Sequence, residues 1–169
     1  MRTRRAGPLL ERKIKSLAAL KKIIANQKRL GKRIVFTNGC FDLLHYGHVK
    51  YLQDAKAKGD LLVVAVNSDA SVKKIKGRNR PIINQSDRLK TIAGLASVDY
   101  VVLFSASTPL KLITEIKPDV LIKGADWNRE SIVGATFVEA GGGKVYTIKL
   151  EQGRSTTKLI RKIVKNFRR

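Results

Sequence analysis

Leu10, Ile14, Leu17, Leu20 and Ile24 recur every three or four residues between lysines and arginines. This spacing predicts one amphipathic helix over 9–30, stopped at Gly31. Arg33–Thr37 is a short apolar strand, and Gly47–Lys58 returns to helical periodicity through Val49, Leu52 and Ala55, with Gly59 as its stop. Leu61–Val66 is an unbroken apolar run rich in valine, the pattern of a strand covered on both faces in a parallel sheet. Residues 68–85 are polar and basic, contain Gly77 and Pro81, and read as a long loop. Ser86-Asp87 caps a helix that runs to Leu95, Tyr100–Phe104 is a strand, and Thr108-Pro109 opens another helix. Val120–Ile122 and Lys144–Ile148 are the remaining strands. Ser155 caps a last helix with Leu159, Ile160, Ile163, Val164 and Phe167 on one face. Strand–helix alternation repeated about five times predicts a single Rossmann-like, doubly wound α/β domain with a parallel sheet of about five strands over 33–169. A basic N-terminal extension and amphipathic helix precede it over 1–32.

Composition refines this picture. The chain has 169 residues, 43% of them hydrophobic, enough for a full core in one domain. No apolar stretch is long enough for a membrane span, and no apolar segment follows the basic start, so a cytoplasmic protein without a secretory signal is expected. One cysteine excludes an intrachain disulfide and a cysteine-rich zinc site. The net charge of +22 invites a nucleic-acid-binding reading. It is unevenly placed, however: residues 1–33 carry +11 and residues 149–169 carry +7, leaving +4 in the middle, where five basic residues crowd between Lys73 and Arg80. Charge alone supports nucleic-acid binding. No helix-turn-helix, RNP or zinc motif accompanies it, and aromatics for base stacking are few, so no specific nucleic acid is expected.

Ligands of open α/β sheets bind beyond the carboxyl ends of the strands. The segment Thr37-Asn38-Gly39-Cys40-Phe41-Asp42-Leu43-Leu44-His45-Tyr46-Gly47-His48 lies at such an end and holds both histidines of the chain. Gly47-His48 falls at a helix N-terminus, where free N–H groups and the helix dipole favour phosphate, and the two imidazoles can converge on one anion. Each histidine alone also fits a partly buried hydrogen-bonding role. A second segment, Gly153-Arg154-Ser155-Thr156-Thr157-Lys158, offers hydroxyls, helix amides and two cations to phosphate, although Ser155 alone would read as an ordinary helix cap.

His45-Tyr46-Gly47-His48 resembles the HxGH signature of the nucleotidyltransferase superfamily, and Gly153–Lys158 resembles its distal Ser/Thr-rich motif. Val49–Leu52, Gly59-Asp60, Val64–Asp69, Ile75–Gly77, Arg80-Pro81, Val98-Asp99, Thr108-Pro109, Pro118–Asp126 and Ile132–Gly134 extend the resemblance over roughly 14–165. They point to the D-glycero-β-D-manno-heptose 1-phosphate adenylyltransferases of the lipopolysaccharide ADP-heptose pathway, in many organisms the C-terminal half of a bifunctional protein fused to a sugar kinase. No kinase segment is present, so the resemblance is to the stand-alone form.

The resemblance implies that heptose 1-phosphate attacks the α-phosphorus of ATP, with Mg²⁺ held mainly by phosphate oxygens and no protein metal ligand. It implies catalytic roles for His45, His48 and Lys76. Asn38, Gly39, Cys40, Phe41, Asn67, Lys123, Gly124, Asp126, Ser155, Thr156 and Thr157 would join the histidines in binding the nucleotide. Asp42, Lys50, Lys76 and Arg88 are candidates for the sugar phosphate. The resemblance also gives the basic loop Lys73–Arg80 the part of a flap that closes over polyphosphate. Beside these stand plainer readings: a solvated helix charge for Lys50, a carboxylate partner for Arg88, a loop cap for Asp42, a solvated basic loop for Lys73–Arg80. A CTP-dependent transferase acting on glycerol 3-phosphate or another alditol phosphate is the alternative within the same class. The amphipathic ends leave self-association as a homo-oligomer open.

Overall fold

In the computed structural model, which describes residues 9–125, 129–149, 151 and 153–167, Ile34 begins a central strand that the rest of the domain surrounds. This strand, β1 (Ile34–Gly39), is flanked by β2 (Leu61–Asn67) and β4 (Val120–Gly124). β3 (Tyr100–Phe104) and β5 (Lys144–Ile148) complete one sheet in the order β3-β2-β1-β4-β5. Every pairing is parallel, with Ile34 opposite Leu61 on one side and Val35 opposite Val120 on the other. The expected doubly wound sheet is therefore present.

The period-2 geometry of the strands divides the core into two layers. Val35, Leu62, Val64, Val66 and Ile122 face helices α3 (Tyr46–Lys56) and α5 (Gln85–Ala93). Ile34, Phe36, Val63, Ala65 and Leu121 face α2 (Leu17–Arg29), α6 (Leu110–Ile116) and α7 (Ala135–Ala140). Because both faces are covered, β2 needs its continuous apolar run, and Leu62 through Val66 are fully buried.

Several segments differ from the sequence reading: α7 was not expected, and the cap of α5 is Asn84, accepting from Asp87 N, not Ser86-Asp87. The helix expected over 9–30 is broken into α1 (Leu9–Lys13) and α2, because Ile14 leaves helical geometry to bridge Val101 at the sheet edge and the Ser16 hydroxyl caps α2 by accepting from Ala19 N. Residues 68–85 are not all loop: Ser68 caps a helix, α4 (Asp69–Lys76), by accepting from Ser71 N, and Val72 is its buried anchor. The expected final helix forms as α8 (Thr156–Phe167). Its apolar face is not buried: Leu159 and Ile160 are half-covered, whereas Ile163 and Val164 are nearly half exposed and Phe167 is 79% exposed. Among the described residues no helix is long and apolar enough to cross a membrane.

The strand order reverses at β1: the chain runs outward through β2 and β3, then returns to β4 beside β1. The carboxyl ends of β1 and β4 therefore diverge into loops that leave on opposite sides, which opens a crevice between them.

Candidate active site

The crevice is a cavity of about 550 Å³, within the range usual for small-molecule sites. The β1–α3 loop forms its floor. Phe41 holds a positive φ of 45°, which turns its ring back under Gly39; a Cβ on Gly39 would lie 2.9 Å from that ring. The folded-back Phe41 ring meets His48 edge-on at 5.5 Å, and His48 stacks on His45 with ring centroids 3.9 Å apart. His45 occupies the cap position of α3 but makes no side-chain capping bond. The Nδ1 atoms of both rings are buried with no hydrogen-bond partner.

Burial is the main force on the titration of both rings. It lowers the His48 pKa to about 4, with the adjacent His45 pushing the same way and Asp42 opposing. Burial and then Arg154 lower that of His45. At neutral pH the site therefore presents two uncharged imidazoles, able to donate hydrogen bonds to developing oxyanion charge. Cys40 is an unsuitable nucleophile, because burial raises its thiol pKa against the opposing pull of Lys76, Arg88 and Arg80.

Gly47 joins the two sequence motifs. A Cβ there would meet the His45 ring at 3.1 Å and the Arg154 Cβ at 3.2 Å, so the missing side chain lets the start of α8 close onto the histidine turn. Thr156 Oγ1 lies 3.5 Å from Leu43 O, Ser155 Oγ accepts from Lys158 N, and the Arg154 guanidinium sits 5.9 Å over the Tyr46 ring. Ser155, Thr156 and Thr157, at the start of α8, thereby line the same cavity as the imidazoles.

The cavity gathers Asn38, Gly39, Cys40, Phe41, Asp42, His45, His48, Asn67, Lys76, Lys123, Gly124, Ser155, Thr156 and Thr157. Lys123 Nζ donates to Asn38 Oδ1 at 2.5 Å, tying the ends of β4 and β1 together. Asn67 is anchored through Ser71 Oγ at 2.9 Å. Asp126 lies outside the described residues.

Three expected substrate contacts need correction. Lys50 does not line the cavity; its ammonium pairs with Asp54 one turn along α3, which raises its pKa. Arg88 is 1% exposed and does not line it either. Its Nε donates to Ile83 O, its Nη1 to Cys40 O, and its Nη2 to Asn67 O and the Asp69 carboxylate, so the guanidinium ties together the loops beyond β1 and β2 from behind. Asp42 lines the cavity, but both its oxygens are engaged with Arg80 Nε and the N–H groups of Ile82 and Ile83. Burial favours its neutral form, yet these donors outweigh that and hold its pKa below the usual carboxylate value.

Sequence reasoning placed Arg80 only within the basic Lys73–Arg80 loop and gave no site role to Tyr51, Ser107 or Thr108; all four line the cavity. Thr108 follows β3, so the strand-end rule alone would have placed it on this rim. Tyr51 had no such signal, since its role depends on the Tyr51–Thr37 hydroxyl contact of 2.7 Å between α3 and β1. Among the described residues no three His, Cys, Asp or Glu side chains cluster as a metal site.

The cytidylyltransferase-like family model matches residues 36–162, spanning the histidine loop through the start of α8. The bifunctional protein HldE of Citrifermentans bemidjiense is 52% identical over 155 residues, and that of Geobacter metallireducens 53%; each match covers 92% of this chain. The chain spans about a third of the length of these relatives. The lipopolysaccharide core biosynthesis protein of Thermoplasma volcanium GSS1 is a solved structure with 31% identity and a TM-score of 0.59. The match takes in 73% of this chain and all of that one. The pantoate-beta-alanine ligase of Francisella tularensis shares the fold at a TM-score of 0.59 with 16% identity, over 85% of this chain and 68% of the ligase.

Proposed function

The chain belongs to the cytidylyltransferase-like family, and we propose that it transfers AMP from ATP to the phosphate of D-glycero-β-D-manno-heptose 1-phosphate. In this reaction an oxygen of the sugar phosphate attacks the α-phosphorus of ATP in line. The bond from that phosphorus to the bridging oxygen breaks, and the electron pair leaves with pyrophosphate, giving ADP-heptose. No protein nucleophile takes part, so the residues position the reactants and stabilise charge.

The observation that carries this reading is the pair of stacked, neutral imidazoles set across Gly47 from the first turn of α8. His45 and His48 would hold α- and β-phosphate oxygens and stabilise the charge that grows as the bridging bond breaks. Ser155, Thr156, Thr157 and the amides at the start of α8 would seat the polyphosphate, and Lys76, at the end of α4, would bring a cation over it. Asn38, Asn67, Lys123 and Gly124, at the ends of β1, β2 and β4, form the rim for base and ribose.

With Asp42 committed to its loop, Glu151 is the carboxylate left on the described wall. One carboxylate makes no protein cage, so a magnesium ion arriving with ATP would be held mainly by phosphate oxygens and water, where it neutralises phosphate charge. The likeness to the HldE proteins and to a lipopolysaccharide core biosynthesis protein supports the choice of acceptor. With ATP and a sugar phosphate as its reactants, the reaction would run in the cytoplasm.

The test is pyrophosphate release from ATP or CTP paired with heptose 1-phosphate or glycerol 3-phosphate. Turnover with ATP and heptose 1-phosphate is expected. Turnover confined to CTP and glycerol 3-phosphate would replace this reading with the alditol-phosphate alternative.

A further inference from the structure

We propose that Arg80 is a preoriented receptor for a substrate phosphate in the cavity. The proposal deepens the transferase reading and rests on it for the identity of the phosphate. Four described cations line the cavity, and they are held differently. Lys123 is tied to Asn38, Arg154 lies over the Tyr46 ring on an exposed turn, and Lys76 is exposed at the end of α4. Arg80 differs from all three: its side chain is only 16% exposed, and one atom anchors it, Nε, which donates to Asp42 at 2.6 Å.

The anchor is rigid because Asp42 is itself fixed. Its side chain is 1% exposed and accepts from Ile82 N at 2.9 and 3.0 Å and from Ile83 N at 2.9 Å. Nε, Nη1 and Nη2 of a guanidinium are coplanar, so fixing Nε restricts where the outer nitrogens lie. Those outer nitrogens carry four N–H donors, and the Arg80 side chain makes no further hydrogen bond to a described residue. A largely buried cation with an unused two-nitrogen fork matches the paired oxygens of a phosphate.

Arg88 is the internal comparison. It has the same side chain eight residues on, yet its Nε, Nη1 and Nη2 all donate to protein oxygens and it lines no part of the cavity. One arginine closes the scaffold, and the other presents its donors to the ligand.

Two phosphates meet in the proposed reaction, that of the acceptor sugar and the polyphosphate of the nucleotide, and kinetics on Arg80→Gln separate them. The KM for one of the two substrates should rise about tenfold to a hundredfold, the loss of a hydrogen bond to a charged group, with kcat falling less. A rise confined to the sugar phosphate assigns Arg80 to the acceptor. A rise for ATP, with weaker binding of inorganic pyrophosphate by calorimetry, assigns it to the nucleotide tail. Arg80→Lys keeps a charge beside Asp42 but not the fork, and should restore the melting temperature while recovering only part of the KM.

Should the unaltered chain turn over none of the nucleotide and sugar phosphate pairs, the transferase reading fails. A loss of pyrophosphate affinity in Arg80→Gln would still uphold Arg80 as a phosphate receptor. The proposal is overturned if folded Arg80→Gln, or folded Arg80→Lys where the first variant does not fold, keeps both KM values and its pyrophosphate affinity within twofold.

Discussion

At the amino ends of the strands, Asp60, Asp99 and Asp119 accept the backbone N–H groups of Arg33, Leu62 and Ile34, and each also faces a lysine: Lys32, Lys56 or Lys28. At the carboxyl ends of the same sheet, two imidazole nitrogens are buried without a partner and the outer nitrogens of Arg80 have none among the described residues. One end of the sheet satisfies its polar groups internally; the other keeps donors and acceptors open. An unpartnered buried polar group costs on the order of 1–3 kcal/mol, so the open end lowers stability unless a ligand fills it. The difference separates residues that hold the fold from residues that wait for a substrate.

The sharpest way to break this contrast is His48→Ala. Removal of one oxyanion donor should cost about 10²–10³ in kcat, while the circular dichroism spectrum stays unchanged. Activity within threefold of the unaltered chain would remove His48 from the mechanism. Acidification tests the same end through stability. The folded His48 pKa, about 4, lies below its ordinary 6.5, so the unfolded chain binds a proton that the folded chain refuses. Stability from this group is complete above pH 6.5 and is lost as pH falls towards 4, by up to about 3 kcal/mol, with His45 acting in the same direction. Thermal melts of His48→Gln should lack most of that decline; an identical pH profile would contradict the burial argument.

Gly47→Ala tests the closure of α8 on the histidines. Its methyl group would press on both the His45 ring and Arg154, and a shift of about 1 Å in the site can cost about 10²-fold in rate. An unchanged kcat would mean the two motifs need not approach so closely.

At the closed end, Asp119→Ala strands the Ile34 N–H and should lower stability by about 1–2 kcal/mol in urea unfolding, with KM for both substrates unaltered. A shift in KM would show that the two ends are not independent. Lys50→Ala should do least, leaving the urea midpoint and both KM values unchanged within error, since its ion pair with Asp54 is exposed to solvent.

What the sequence made legible follows the same division. The run Leu61–Val66 and the Ser155 cap were readable because strand burial and helix capping are local. The histidine loop was readable because its spacing is short and rare. Helix α4 was missed: its three basic residues and exposed Ile75 disguise a helix held by Ser68 and Val72. The break after Lys13 was missed because the partner of Ile14 is Val101, far away in sequence. The places of Arg80, in the basic loop, and Arg88, in the following helix, could not be assigned from sequence, because the groups that decide them are remote. Asp42 and Asp69, Cys40 and Asn67 decide between them, and only the folded chain brings those groups near.

Helix α8 contributes no fully buried side chain, yet its first turn supplies one wall of the cavity. A ribosome will have made both histidines, all five strands and nearly the whole core before this turn emerges. A chain cut short after Ile148 is therefore expected to keep its sheet and core and to lack this wall of the cavity. The proposed activity, and not folding, would then register that synthesis has reached α8.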